Sequence, residues 1–146
     1  MNDAPAAKLP LERLAKGVAT EIASFLDSKR ATEIVVLDVR DLMQITSYFV
    51  IATGSSSRAL STLAAGAGKI LKDNGFPRLG VDGDRDARWY CLDYAEVVVH
   101  LFEPEARQFY DLDTLWGDAA RLDVIVKAQQ ERIDGVKINP DEDLLA

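Results

Sequence analysis

The sequence has one cysteine and one histidine, and no apolar run near the roughly 20 residues needed to cross a bilayer. Each shortage excludes something. Cys91 alone cannot close an internal disulfide, and one cysteine with one histidine makes a poor zinc site. A Ser-His-Asp or Cys-His catalytic set would have to use His100, which lies mid-run between Val99 and Leu101. Ser55 to Ser57 or Cys91 are conceivable nucleophiles, but no nucleophile-elbow pattern surrounds the serines. Lys and Arg total 17 against 24 Asp and Glu, a net charge of −7, with no basic cluster longer than Lys29-Arg30. Little direct nucleic-acid binding is therefore expected. An acidic chain better suits a basic protein partner, approached with electrostatic steering. The first residues carry neither a basic stretch followed by an apolar one nor an Arg-rich tract. No secretory signal or organellar presequence is expected, and the expected location is cytoplasmic.

What is present is an ordinary globular composition: 146 residues, 48% hydrophobic and 28% charged. That is enough for one domain with a core. Residues 1–9 read as a flexible N-terminus. Pro10 opens a helix to about Lys29, with Leu11, Leu14, Val18, Ile22, Phe25 and Leu26 as its apolar stripe. Glu33 to Val39 and Tyr48 to Ala52 read as strands. A helix follows to about Asp73, burying Leu60, Leu63, Ala64, Ala67, Ile70 and Leu71. Gly66 and Gly68 weaken it or permit close packing against the sheet, and Asn74-Gly75 stops it. Leu79 to Val81 is a short strand. Two runs rich in Val, Tyr, Trp and Phe then meet at Tyr94-Ala95-Glu96, an antiparallel hairpin. Pro104 opens a helix ending near Trp116-Gly117. The order α-β-β-α-β-β-β-α predicts an α/β (α+β) fold, a mixed five-stranded sheet flanked by helices. Residues 119–146 read as an extension, partly helical or mobile. Leu122, Ile125, Val126 and Ile133 allow one more amphipathic turn or two before the acidic run Asp141-Glu142-Asp143.

Several clusters invite a chemical reading. Thr53-Gly54-Ser55-Ser56-Ser57 is a capped helix start, a phosphate-binding loop or a partner contact; it lacks the Walker lysine and the three-glycine dinucleotide pattern. Asp82, Asp84 and Asp86 alternate as at the start of a calcium loop. Ala87 and Asp93 stand where that loop wants Gly and Glu, so a solvated hairpin loop is expected. No metal site, cofactor or catalytic residue is assigned. The aromatic set Trp89, Tyr90, Tyr94, Phe102, Phe109, Tyr110 and Trp116 cannot all be core, because strand neighbours point to opposite faces. Either Trp89, Cys91 and Asp93 face outward or Tyr90, Leu92 and Tyr94 do. Exposed aromatics beside Asp93, Glu96 and Arg107 look like an interface hot spot.

Ile34-Val35-Val36-Leu37-Asp38-Val39, Thr46 to Gly54, Ser56-Ser57-Arg58, Gly80-Val81-Asp82-Gly83, Trp89, Leu92-Asp93-Tyr94, Val97 to Phe102 and the helix from Arg107 to Trp116 occur together and in order. In these motifs the chain resembles the ribosomal silencing factors, also called Iojap-related proteins, over about residues 10–118. The resemblance implies a nucleotidyltransferase-like fold without the enzyme's chemistry. It implies binding to the large ribosomal subunit at ribosomal protein fourteen, on the intersubunit face. Joining of the small subunit would be blocked and translation repressed when nutrients are scarce, with a role in large-subunit assembly besides. Carried over by position, Trp89, Tyr90, Asp93 and Glu96 fall in the hairpin where partner contacts are expected. His100, Arg107 and Tyr110 match the adjoining strand and helix. Ala59 and Ala95-Glu96 depart from the His and the Gly-Asp usual in relatives. Two other readings stand beside this one. A nucleotidyltransferase would want an Asp-x-Asp on a sheet segment after Gly54-Ser55, whereas Asp82 and Asp84 lie in a loop. A homodimer could use the same exposed hairpin.

Overall fold

The structure is a computed structural model that describes residues 3–83 and 88–122. One mixed six-stranded sheet organises it, in the order β3-β4-β5-β2-β1-β6. The strands are β1 (Thr32–Asp38), β2 (Tyr48–Thr53), β3 (Gly80–Asp82), β4 (Trp89–Tyr94), β5 (Val97–Phe102) and β6 (Ala120–Arg121). Only β2 and β5 pair in parallel; the other neighbours are antiparallel. The expected mixed fold is present with one strand more than the five expected. That strand is β6, two residues paired with Leu37 and Asp38 at the outer edge of β1. No apolar pattern marks it in the sequence, because pairing to β1 alone defines it.

Two helices cover one face. α1 (Asp3–Ser28) begins upstream of Pro10 instead of opening there. Pro5 lies in the first turn, where its missing N–H is not needed, Ala6 to Leu9 are helix formers, and Pro10 removes a single N–H from that run. Its buried stripe is Ala15, Val18, Ala19, Ile22, Ala23 and Leu26, while Leu14 is about half exposed. The alanines let the helix lie close to its neighbours. α2 (Ser57–Asp73) starts at Ser56, whose hydroxyl accepts from Ala59 N–H at 3.1 Å. The Thr53 to Ser57 run is thus a capped helix start. Gly66 meets α1, not the sheet: a Cβ there would lie 2.0 Å from Cζ of Phe25.

Both helices end in the same way. Beyond α1, Arg30 sits at φ 68, and the amides of Arg30 and Ala31 donate to the carbonyls of Asp27 and Leu26. Beyond α2, Gly75 at φ 83 and Phe76 repeat this with Lys72 and Leu71. This is the left-handed Schellman ending, natural for Gly75 and strained for Arg30.

The opposite face of the sheet has its own smaller core, formed by Leu37, Val39, Phe49, Ile51, Val98, Phe102 and Ala106. α3 (Pro104–Tyr110) and α4 (Leu112–Leu115) lie over it. The single helix expected to run to Trp116 is broken at Asp111, which adopts φ 50 and caps both halves. Its carboxylate accepts from Thr114 N–H, and Asp is among the few side chains that tolerate that conformation.

Candidate protein interface

The hairpin β4–β5 sets the site. Its register pairs Trp89 with Phe102, Cys91 with His100, and Asp93 with Val98. Alternation therefore puts Trp89, Cys91, Asp93, Val98, His100 and Phe102 on the face away from α1 and α2. Tyr90, Leu92 and Tyr94 point the other way and join the core under the helices. Tyr90, expected at the interface, is 6% exposed and faces the helices instead of joining Trp89 on the outer face.

On the outer face the aromatic rings form a continuous series. Phe109 meets Tyr110 edge-on at 5.0 Å, and Tyr110 lies 4.4 Å from Trp89. Trp89 stacks on Phe102 at 5.0 Å. His100 lies 5.4 Å from Phe49, which meets Trp116 at 5.1 Å. Burial grades along the series. Phe102 and Phe49 are core, Trp89 is half-buried, Tyr110 is 48% exposed and Phe109 80%. Arg88 and Glu105 flank a groove beside Trp89, Phe109 and Tyr110 and approach to 3.4 Å. That pair is solvated and adds little stability.

The remaining expected residues serve this face from behind. His100 is 8% exposed, and its Nδ1 accepts the indole N–H of Trp89 at 3.2 Å. Burial pushes its pKa down to about 4, with the charge of Asp93 opposing. The imidazole is therefore neutral near pH 7, with its proton on Nε2, and it fixes the indole plane. Arg107 is 7% exposed. Its guanidinium donates twice to Asp113, at 2.9 and 3.1 Å, and also to Thr53 Oγ1 and the Glu33 carbonyl. Glu33 sits at φ 49 within the β1 irregularity, so Arg107 fills a gap that the sheet ladder leaves there. Its hydrogen bonds also hold the Asp113 carboxyl below its usual range, against the opposing effect of burial. Glu96 ties the hairpin tip to β2. Its carbonyl accepts from Ser47 and Tyr48 N–H, and its carboxylate accepts from the Ser47 hydroxyl. Asp93 accepts from Ala95 N–H and lets the turn close with Ala95 at φ 64, a conformation that favours glycine.

Of the seven expected residues, Trp89, His100 and Tyr110 come together. Asp93 continues their row toward the tip, Arg107 and Glu96 brace it, and Tyr90 lies opposite. Phe109 belongs with them and was not among the seven. A signal for it existed. Adjacent helix residues lie 100° apart, so Phe109 and Tyr110 cannot share one buried direction.

Cys91 lies in the same row. Burial, with Asp93 and Asp82 adding, pushes its thiol up to about 11. Alkylation by iodoacetamide at pH 8 should run about a hundredfold slower in the native protein than in urea. Equal rates would show that the strand face is open at this point. Among the described residues, no group of three or more His, Cys, Asp or Glu could hold a metal ion. Asp84 and Asp86 of the alternating acidic loop lie outside those residues.

By fold and by face this is an α/β domain whose best-formed feature is a half-open aromatic surface on a hairpin and a short helix. The family described as "Ribosomal silencing factor during starvation" matches residues 12–142, and the chain belongs to it. The match runs well past residue 118, where the resemblance in the sequence was expected to end. The ribosomal silencing factor of Bacillus subtilis is 33% identical over 109 residues, covering 75% of this chain and 92% of that protein. A mouse protein named for mitochondrial assembly of the ribosomal large subunit is 35% identical over 98 residues, covering 65% of this chain and 43% of that protein. A crystal structure of a Chromobacterium violaceum protein superposes with a TM-score of 0.63 at 30% identity, covering 72% of this chain and 85% of that one.

Proposed function

We propose that this chain binds the large ribosomal subunit through ribosomal protein fourteen, covers the intersubunit face, and so blocks joining of the small subunit when nutrients are scarce. The observation that carries the reading is the exposed aromatic surface of Trp89, Tyr110 and Phe109 in a member of this family. Aromatic anchors beside a few charges are what concentrated binding energy requires. Occlusion needs no catalytic group or cofactor, and the relatives are named as silencing factors. The name of the mouse relative supports a role in large-subunit assembly as well. The site of action is the cytoplasm. Among the described residues, no helix is long and apolar enough to cross a membrane.

Trp89, Phe109, Tyr110 and Asp93 make the contacts; His100 and Arg107 act through them by fixing the indole and the short helices. Tyr90 and Glu96 support the hairpin. The test is co-sedimentation with purified large subunits. Phe109→Ala is the cleanest variant, because a side chain 80% exposed holds little of the fold. It should weaken binding at least about tenfold with unchanged circular dichroism, and Trp89→Ala should weaken it further. Wild type remaining in the supernatant would overturn the ribosomal reading. Full binding by folded Phe109→Ala would move the contact off this face. A dimer that persists when subunits are added would favour self-association through the hairpin.

A further inference from the structure

The helical face of the sheet carries a second feature that the aromatic surface does not use. α1 and α2 cover β1, β2, β5 and β4 but stop short of β3. A groove of about 850 Å³ runs between the outer side of α2 and strands β3 and β4. Its α2 wall is made of Ser61, Ala65 and Gly68, all too small to fill it. Phe76, Val81 and Tyr94 line its floor, and Lys69, Lys72 and Arg78 its rim. In a chain of net charge −7 this is a local excess of positive charge. Asp73 pairs with Lys69 at 2.6 Å, while Lys72 and Arg78 have no carboxylate partner among the described residues.

Tyr94 adds a donor to these cations. The residue is 6% exposed, and its hydroxyl makes no hydrogen bond with the described residues. The hydroxyl is not sealed in, since no buried side-chain oxygen among those residues lacks a partner. It therefore opens on the groove beside Gly68, where an added Cβ would lie 3.4 Å from it. Lys72 stands one turn of α2 beyond Gly68, on the same side.

A hydroxyl donor and two unpaired cations around an apolar floor call for carboxylates carried beside apolar side chains. The shape calls for a helix. Packed helices lie about 8–10 Å apart, or about two strand spacings of 4.8 Å. A helix laid against the small residues of α2 would therefore continue the helical layer over β3, which that layer leaves bare. Nucleic acid fits less well, because Phe76 and Tyr94 are too buried to stack on a base.

We propose that this groove docks an amphipathic helix of another protein, whose carboxylates accept from the Tyr94 hydroxyl and pair with Lys72 and Arg78 while its apolar side chains meet Val81 and Phe76. The groove and the Trp89 surface lie on opposite faces of the sheet, so both can be occupied at once. The proposal does not depend on the ribosomal reading.

The test uses the full chain and a synthetic peptide of about 15 residues, long enough to form a helix, with leucines at helical spacing flanked by glutamates. A counterpart with lysines for the glutamates is the control. In NMR titrations the acidic peptide should shift the amides of Ser61, Lys72 and Val81 and leave those of Trp89 and Phe109 in place. The lysine peptide should do neither. Tyr94→Phe keeps the ring in the core and should weaken binding about tenfold, the worth of a hydrogen bond to a charged acceptor. Lys72→Glu with Arg78→Glu should exchange the preference, taking the lysine peptide and refusing the acidic one. The fold should not change, since both side chains are exposed. No binding of the acidic peptide, equal binding of both peptides, or shifts on the Trp89 face would overturn the proposal. A single-stranded oligouridylate that moves the same amides at lower concentration would assign the groove to nucleic acid instead. Shifts that grow with protein concentration alone would assign it to a second copy.

Discussion

Arg107→Ala should lower the unfolding free energy by about 3 kcal/mol, a large share of the 5 to 15 typical of a domain. Arg107 is 7% exposed and serves three parts of the fold at once. It donates to Asp113 on α4, to Thr53 at the end of β2, and to the Glu33 carbonyl beside the β1 irregularity. Truncation leaves each acceptor short of a donor, and the Asp113 carboxylate loses the hydrogen bonds, and with them the charge, that hold its pKa down. Most of the cost is that of abandoned polar groups, not the net worth of one ion pair. Arg107→Lys should recover only part of it, because an ammonium cannot form the two parallel bonds to a carboxylate. Urea denaturation checks both variants. A loss under about 1 kcal/mol in Arg107→Ala would mean that water takes over these acceptors at little cost. The same experiment separates bracing from contact. A bracing residue weakens subunit binding only as far as it unfolds or loosens α3, so Arg107→Ala should bind well at low temperature, where it is folded. Phe109→Ala should not.

The hairpin was legible because its two strands are dense in β-branched and aromatic residues and because a two-residue turn separates them. The buried face of α2 was legible for the same kind of reason: Leu60, Leu63, Ala64, Ala67 and Leu71 follow the helical period, and all are buried. What the pattern could not decide was the direction of the hairpin's faces. Alternation separates Trp89, Cys91 and Asp93 from Tyr90, Leu92 and Tyr94, but only the placement of α1 and α2 says which set is covered. Tyr90 was lost to the core on that account. The bracing contacts of Arg107 are not legible, because its partner is unreadable from spacing. In a continuous helix a residue six positions on points away, about 240° around, so Asp113 looks out of reach. The break at Asp111 brings it back. β6 and the alanine side of α1 escaped because pairing and close approach define them, not hydrophobic runs.

Lowering the pH from 6.5 to 4 should cost the wild type about 3 kcal/mol of stability through His100 alone. The folded pKa, about 4, lies below the 6.5 of the free side chain, so the unfolded chain binds the proton first. Stability is complete above pH 6.5, falls with decreasing pH through the window, and stops falling from this source below about 4. Burial is the chief cause, because the imidazole lies among Phe49, Trp89 and Phe102 and is 8% exposed. The opposing charge of Asp93 is the smaller effect. The carboxylates give a separable signal. Asp113 and Asp38 are held below their usual 3.8, so their contribution is lost only as pH falls beyond the histidine window. His100→Gln removes the titration and keeps an acceptor for the Trp89 indole. Its stability should be nearly level between pH 6.5 and 4 and should drop only below. The same proton reaches the aromatic surface, since protonating Nδ1 abolishes the acceptor that fixes Trp89. Denaturation at half-unit pH steps, with indole fluorescence as the probe, measures both effects in one series. Equal slopes for wild type and His100→Gln across this window would show that burial does not hold the imidazole neutral.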